Sequence, residues 1–190
     1  FIDTAYQGLG DGLDEDAYGL RMMAERLPEL VVASSCSKNF GLYRERTGSI
    51  TFVTKNADDA KLVLGQAMSV ARQMYSMPPA HGALLVSLIL GDEELRSEWT
   101  TELEEVRLRI LSMRTLLADS IQDNALGMDF SHIKRQKGMF SFLGVKPEHL
   151  VRLREEFGIY IVSSTRINLA GINSSNIKYL SDSIRNVLNG

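Results

Sequence analysis

Residues 34–46 of the chain read S-S-C-S-K-N-F-G-L-Y-R-E-R. Lys38 lies just past an apolar run. It is preceded by the hydroxyls of Ser34, Ser35 and Ser37 and followed eight residues later by Arg46. An amine in such a place can form a reversible imine with a carbonyl compound, and hydroxyls with a guanidinium are the donors a phosphate needs. The combination suits a phosphorylated aldehyde cofactor. Taken alone, the segment is better explained by a solvent-facing loop lysine and an ordinary surface arginine.

A second segment, Asp3-Thr4-Ala5-Tyr6-Gln7-Gly8, strengthens the chemical reading. If both segments follow parallel strands, Asp3 and Lys38 fall near C-terminal strand ends, where ligands of α/β proteins bind. A carboxylate there can pair with a protonated pyridine nitrogen, and the Tyr6 phenol can donate to a phenolic oxygen on the same ring.

The elements needed to place these residues are legible in outline. A short strand at Phe1 and Ile2 and a Gly-rich turn at 8–12 precede a helix over 14–26, in which Leu13, Ala17, Leu20, Met23 and Ala24 recur at helical spacing. Asp14, Glu15 and Asp16 are expected in the first turn of that helix and Arg26 in the last, complementing its dipole, with Pro28 as the stop. Residues 30–33 then read as a buried strand. Strand, helix, strand is a βαβ unit, which implies parallel pairing and a right-handed crossover.

Further along, 49–54 alternates as a strand. Residues 57–75 form a helix with Ala60, Leu64, Ala67, Val70, Ala71 and Met74 on one side, ended by Pro78 and Pro79. Residues 81–90 form a mostly apolar helix expected in a core or a subunit interface. Leu95, Trp99, Leu103, Val106, Ile110, Met113, Leu117 and Ile121 trace one stripe of a helix over about 93–122, roughly 40 Å long. Glu98, Glu102, Glu105 and Arg109 on its other face read as solvated. The expected domain boundary lies in this helix, dividing 1–105 from 106–190. The second part reads as α+β: strand 139–142, helix 147–157, strands 159–162 and 166–168, and helix 174–188 capped by Asn173 or Ser174.

D-T-A-Y-Q-G, S-S-C-S-K-N-F-G-L-Y-x-E-R and Y-S-M-P-P-A-H-G, in this order, resemble the class I pyridoxal-phosphate aminotransferases, and within them the aspartate and aromatic amino-acid aminotransferases. The likeness continues through G-M-F-S-F at 138–142 and R-x-N-x-A-G at 166–171. It implies an α/β fold: part of a pyridoxal-phosphate transferase large domain with a mostly parallel sheet, followed by a small α+β C-terminal domain. It also implies pyridoxal 5'-phosphate held by Lys38 as an internal aldimine, with Ser35, Ser37 and Arg46 on the phosphate, Asp3 on the ring nitrogen and Tyr6 on the 3' oxygen. Lys38 would then also carry the substrate proton.

For the substrate, the resemblance implies that Arg166 clamps the α-carboxylate, that Arg72 reaches across a homodimer interface to a distal carboxylate, that Ser76 approaches the partner's phosphate, and that Phe140 walls the pocket. The activity implied is ping-pong amino-group transfer between L-aspartate and 2-oxoglutarate. Aromatic amino acids, a lyase or decarboxylase activity, and a non-catalytic half-length interaction module are the alternatives. Thr47 and Arg44 depart from the family's usual residues, away from the implied chemistry. Family members are about twice as long, so a preceding segment that completes the site is expected; the start at Phe1 rather than Met fits that expectation.

Composition narrows the other classes. Of 190 residues, 44% are hydrophobic and 24% charged, which is a globular composition. Lys plus Arg number 21 against 24 for Asp plus Glu, and a net charge of -3 gives no broad attraction to nucleic acid or anionic lipid. The longest nearly apolar stretch, 83–90, is too short to span a bilayer. The single cysteine, Cys36, cannot form an internal disulfide, and His81, His132 and His149 show no metal spacing. A reducing compartment, the cytoplasm or an organellar matrix, is the expected location.

Overall fold

A computed structural model describes residues 1–122 and 129–189. Two compact units divide the chain, Phe1–Glu104 and Glu105–Gly190. The first contains strands β1 (Ile2–Thr4), β2 (Leu30–Ser35) and β3 (Gly48–Val53) and helices α1 (Tyr18–Arg26), α2 (Ala57–Tyr75) and α3 (His81–Gly91). Helix α4 (Glu93–Ile121) begins in the first unit and ends in the second. The second unit adds α5 (Ser131–Arg135), β4 (Phe140–Phe142), α6 (Pro147–Phe157), β5 (Arg166–Asn168), a short 3-10 turn at Leu169–Gly171, and α7 (Ile177–Asn189).

β1 and β2 pair in parallel, with Asp3 opposite Ala33 and Thr4 opposite Ser34. That register follows from the βαβ order and brings the ends of both strands to one edge of the sheet. β3 pairs antiparallel to β2, with Ser35 opposite Gly48. A Cβ on Gly48 would lie 2.3 Å from the Ser34 carbonyl oxygen, so the close approach requires glycine. Leu9, Ala17, Leu30, Val32 and Leu103 are buried in this unit.

The helix expected over 14–26 begins four residues late, and the three acids are not in its first turn. The Asp16 carboxylate instead accepts from the backbone N–H groups of Gly8 at 2.8 Å, Gly10 at 2.9 Å and Asp11 at 2.8 Å. Asp14 pairs with Arg21 at 2.7 Å. Short acidic side chains bind nearby backbone better in turns than in helices, and here the turn wins. Asp16→Asn is expected to lower the unfolding free energy by about 1–3 kcal/mol, because an amide presents N–H where an acceptor is needed. Urea unfolding of the variant checks this; an unchanged midpoint would mean that the Gly8–Asp11 loop is held by other contacts.

Helix starts and stops elsewhere match the local chemistry. Asn56 Oδ1 caps α2 by accepting from Asp58 N–H at 3.0 Å and Asp59 N–H at 2.9 Å. Asp92 Oδ1 does the same for α4, from Glu94 and Leu95. Pro147 opens α6 and Gly158, at φ 63°, closes it. Within this chain α2 buries none of its residues, and α3 buries only Gly82, leaving Leu84 and Leu88 exposed.

The second unit has the denser core. Leu117, Ile121, Ile133, Leu153, Leu169, Ile184 and Val187 are almost wholly shielded, each side chain contributing about 1.5–3 kcal/mol of burial. β4 and β5 form an antiparallel pair, Phe140 opposite Asn168 and Phe142 opposite Arg166. The strand expected at 159–162 does not form. Ile159 N–H is taken by the Leu153 carbonyl in the cap of α6, and the Val162 carbonyl by Thr165 N–H in the next turn. Both ends of the segment are thus bonded elsewhere. Helix α7 starts at Ile177 rather than 174, because Asn173 Oδ1 holds Ser175 and Asn176 N–H in a preceding turn. On α4, Val106 is exposed and Arg114 is buried, and Arg109 donates to the Ile172 carbonyl at 3.1 Å and the Ala170 carbonyl at 2.9 Å rather than simply facing solvent. Among the described residues, no helix is long and apolar enough to cross a membrane.

Candidate active site

The first unit gathers the residues suited to a phosphorylated aldehyde. Lys38 lies in the turn after β2, and its Nζ stands 4.7 Å from the centroid of the Tyr6 ring, over its face. The attraction between an ammonium and the ring's negative face holds a flexible side chain in one place. Asn39 ties the two loops together: its Nδ2 donates to the Gln7 carbonyl at 3.3 Å, and its own carbonyl accepts from Trp99 Nε1 at 2.8 Å. Phe40 stacks on Trp99 with ring centroids 4.4 Å apart. Lys38 is therefore flanked by anchored neighbours.

Gly8, one turn past Tyr6, has φ 90°, and a Cβ there would meet Leu103 at 2.6 Å. Only glycine lets this loop pass so close to α4. Asp3 lies on β1 opposite Ala33 and is exposed, at the same sheet edge as the turn carrying Lys38.

Ser35 ends β2. Its hydroxyl donates to Ser37 Oγ at 3.0 Å and accepts from Ser37 N–H at 3.2 Å, and Ser37 is buried. Arg46 has a left-handed backbone, φ 51°, and its guanidinium donates to the Tyr43 carbonyl at 2.8 Å. The loop is braced on both sides: Cys36 N–H donates to the Thr47 carbonyl at 3.0 Å, and His81 Nδ1 meets Glu45 Oε2 at 2.9 Å. Partial burial pushes the Cys36 thiol pKa up, which disfavours the thiolate. Arg72 and Ser76 stand exposed at the end of α2, where Ser76, at φ 63°, caps the Arg72 carbonyl.

In the second unit, the Arg166 guanidinium lies over the Phe140 ring at 4.7 Å from its centroid. The two are a diagonal pair on neighbouring strands, two residues out of register. Such stacking fixes the plane of the guanidinium while leaving its N–H edge free for a planar anion. The structure thus brings Lys38 to Tyr6, Ser35 to Ser37, and Arg166 to Phe140. Sequence reasoning missed Asp16, Asn39 and Arg114, of which only Arg114 left a signal: it falls in helical step with Ile110 and Leu117, where an apolar residue is expected.

The sequence profile of the aminotransferases of class I and II matches residues 1–184, and the chain belongs to that family. It is 52% identical over 187 residues to an aspartate aminotransferase of Haemophilus influenzae, covering 98% of this chain and 47% of that protein. To an aromatic-amino-acid aminotransferase of Paracoccus denitrificans it is 48% identical, covering 96% and 46%. Among solved structures, an aromatic-amino-acid aminotransferase from Burkholderia pseudomallei, covalently bound to pyridoxal phosphate, superposes with a TM-score of 0.94 at 43% identity, covering 98% of this chain and 47% of that one. The aromatic aminotransferase of Psychrobacter sp. B6, cocrystallised with aspartic acid, gives 0.95 at 42% identity, covering 100% and 48%. The mixed α/β fold is that of the aminotransferases. The chain spans about half the length of the relatives it matches.

Proposed function

We propose that the protein carrying this chain is a pyridoxal 5'-phosphate-dependent aminotransferase that exchanges the amino group of L-aspartate with 2-oxoglutarate. The observation that carries the reading is the Lys38 amine, held 4.7 Å from the Tyr6 ring centroid beside the strand that bears Asp3. An amine, a phenol, a carboxylate, two hydroxyls and a guanidinium within one compact unit are a donor set that suits this cofactor. When bound, the cofactor supplies an electron sink for the pair left as a proton leaves the substrate Cα.

The chain's own residues then divide the work. Lys38 would hold the cofactor's aldehyde carbon and, as a free amine, would move the Cα proton as a general base. Asp3 keeps the ring nitrogen protonated, Tyr6 donates to the ring oxygen, and Ser35, Ser37 and Arg46 hold the phosphate. Arg166 takes the substrate α-carboxylate with Phe140 as the pocket wall. Residues 1–105 serve as the C-terminal part of the cofactor-binding domain and 106–190 as the small domain, with the rest of the pocket supplied by sequence outside this chain.

Arg72 of one subunit meets the distal carboxylate in the other subunit of a homodimer, with Ser76 near that subunit's phosphate. The exposed apolar residues of α2 support an interface there. Arg72→Ala is expected to reduce kcat/KM for L-aspartate by about 10²-fold, the cost of leaving a buried carboxylate unpaired, with little change for L-phenylalanine. Steady-state kinetics of the whole protein with both donors tests this. Equal losses for the two amino acids would remove Arg72 from substrate recognition. An aromatic preference is the second reading, favoured by the aromatic-amino-acid aminotransferase of Paracoccus denitrificans at 48% identity, and the same pair of rates decides between them.

A further inference from the structure

The second unit buries a cation among neutral acceptors. Arg114 is 1% exposed on α4. Its Nη1 donates to the Ile133 carbonyl at 2.9 Å and to Ser141 Oγ at 3.2 Å. Its Nη2 donates to the Gly138 carbonyl at 2.7 Å and the Phe140 carbonyl at 3.0 Å. The Ser141 hydroxyl in turn donates a hydrogen bond to Gln136 Oε1, which also accepts from Phe142 N–H at 3.3 Å.

A buried charge is costly, and an apolar side chain at this point of the helical stripe would fill the core at less expense. Burial indeed pulls the guanidinium pKa down from its ordinary value, yet arginine remains charged in proteins. What the arginine does that a leucine cannot is bind the backbone of 133–141 at several points through a rigid fork of donors. One of those points is the Phe140 carbonyl, and the Phe140 ring is the surface on which the Arg166 guanidinium rests.

We propose that Arg114 is a positioning residue for substrate recognition: it fixes the Phe140 backbone, and the Phe140 ring in turn sets the plane in which Arg166 receives the α-carboxylate. The proposal rests on the reading of Arg166 given above. Bidentate pairing of guanidinium and carboxylate is planar, so a tilt or shift of the Arg166 plane weakens binding without touching the proton-transfer groups. Lysine at position 114 keeps the charge but offers a point donor in place of the fork, and cannot hold four acceptors spread over 133–141.

The test is a double-mutant cycle in the whole protein, with Arg114→Lys, Arg166→Lys and the pair. The readouts are kcat and KM for L-aspartate, calorimetric binding of succinate as an unreactive dicarboxylate, and the thermal midpoint. Arg114→Lys is expected to raise the aspartate KM and the succinate Kd about 10-fold, with kcat changing by less than about threefold. In the Arg166→Lys background the same substitution should add nothing, because the residue it acts through is already altered. An equal multiplication of KM in both backgrounds, or a fall in thermal midpoint with KM and succinate binding unchanged, would overturn the proposal. If Arg166→Lys alone leaves KM and succinate binding untouched, the carboxylate assignment itself fails and takes the proposal with it, a result distinct from an additive cycle. Should Arg114→Lys not fold, Ser141→Ala removes one acceptor and keeps the arginine. A KM rise of about threefold that disappears in the Arg166→Lys background sustains the proposal, and an unchanged KM defeats it.

Discussion

Lys38→Ala is expected to lower transamination by roughly 10⁴-fold or more in the whole protein and to abolish the visible absorbance of a cofactor bound through that amine. The size of the effect follows from two roles in one nitrogen. It is the covalent anchor, and it is the base that moves the Cα proton. The Tyr6 ring lies against the amine at 4.7 Å, and a phenol cannot form the imine that anchors an aldehyde. Absorbance and steady-state rate should fall together. A variant that kept the visible band while losing activity would leave Lys38 as a base alone, and one that kept activity would end the proposed mechanism.

The second large effect belongs to Asp3. Asp3→Asn preserves the shape of the side chain and removes its charge, so the ring nitrogen of the cofactor is no longer favoured in its protonated form. The expected result is a kcat lower by about 10²–10³-fold, the usual scale for losing a preorganised electrostatic partner of a charged transition state. KM for aspartate should change little, because the substrate carboxylates are assigned to Arg166 and Arg72. Cofactor titration alongside the rates separates weakened binding from slowed chemistry. A kcat within about threefold of the parent would remove Asp3 from the reaction.

Lys38, Tyr6 and Asp3 were singled out from residue type and motif; what was legible about their placement is that each stands at or just past a strand whose apolar run and flanking turn are local signals. Parallel pairing followed from the strand, helix, strand order, and the observed register of Asp3 with Ala33 agrees with it. α2 and α4 were legible from the spacing of their apolar residues, with Pro78 and Pro79 beyond the end of α2; their caps, Asn56 and Asp92, emerged only in three dimensions. The start of α1 was not, since an acid before a helix can serve either the helix or the turn, and only the three-dimensional course of Gly8–Asp11 makes Asp16 a turn acceptor. The segment 159–162, Ile-Tyr-Ile-Val, has the β-branched and aromatic composition of a strand, but composition cannot say whether the terminal amide and carbonyl are already committed to a helix cap and a turn. Arg114 interrupts the apolar stripe between Ile110 and Leu117, but that signal did not tell where its donors go. Its acceptors lie 19 to 27 residues away, and no local rule distinguishes an arginine satisfied by distant carbonyls from one that faces water.

The left-handed backbone at Arg46 sets two demands on one position. Glycine or asparagine would occupy that conformation with less strain, on the order of 1–2 kcal/mol for a side chain such as arginine, whereas the proposed phosphate contact needs the guanidinium. Selection for heat resistance alone would drive this position toward a smaller residue and, on the proposed phosphate role, would erode cofactor retention as it did so. Position 46 is thus where ruggedness and function compete within a single codon.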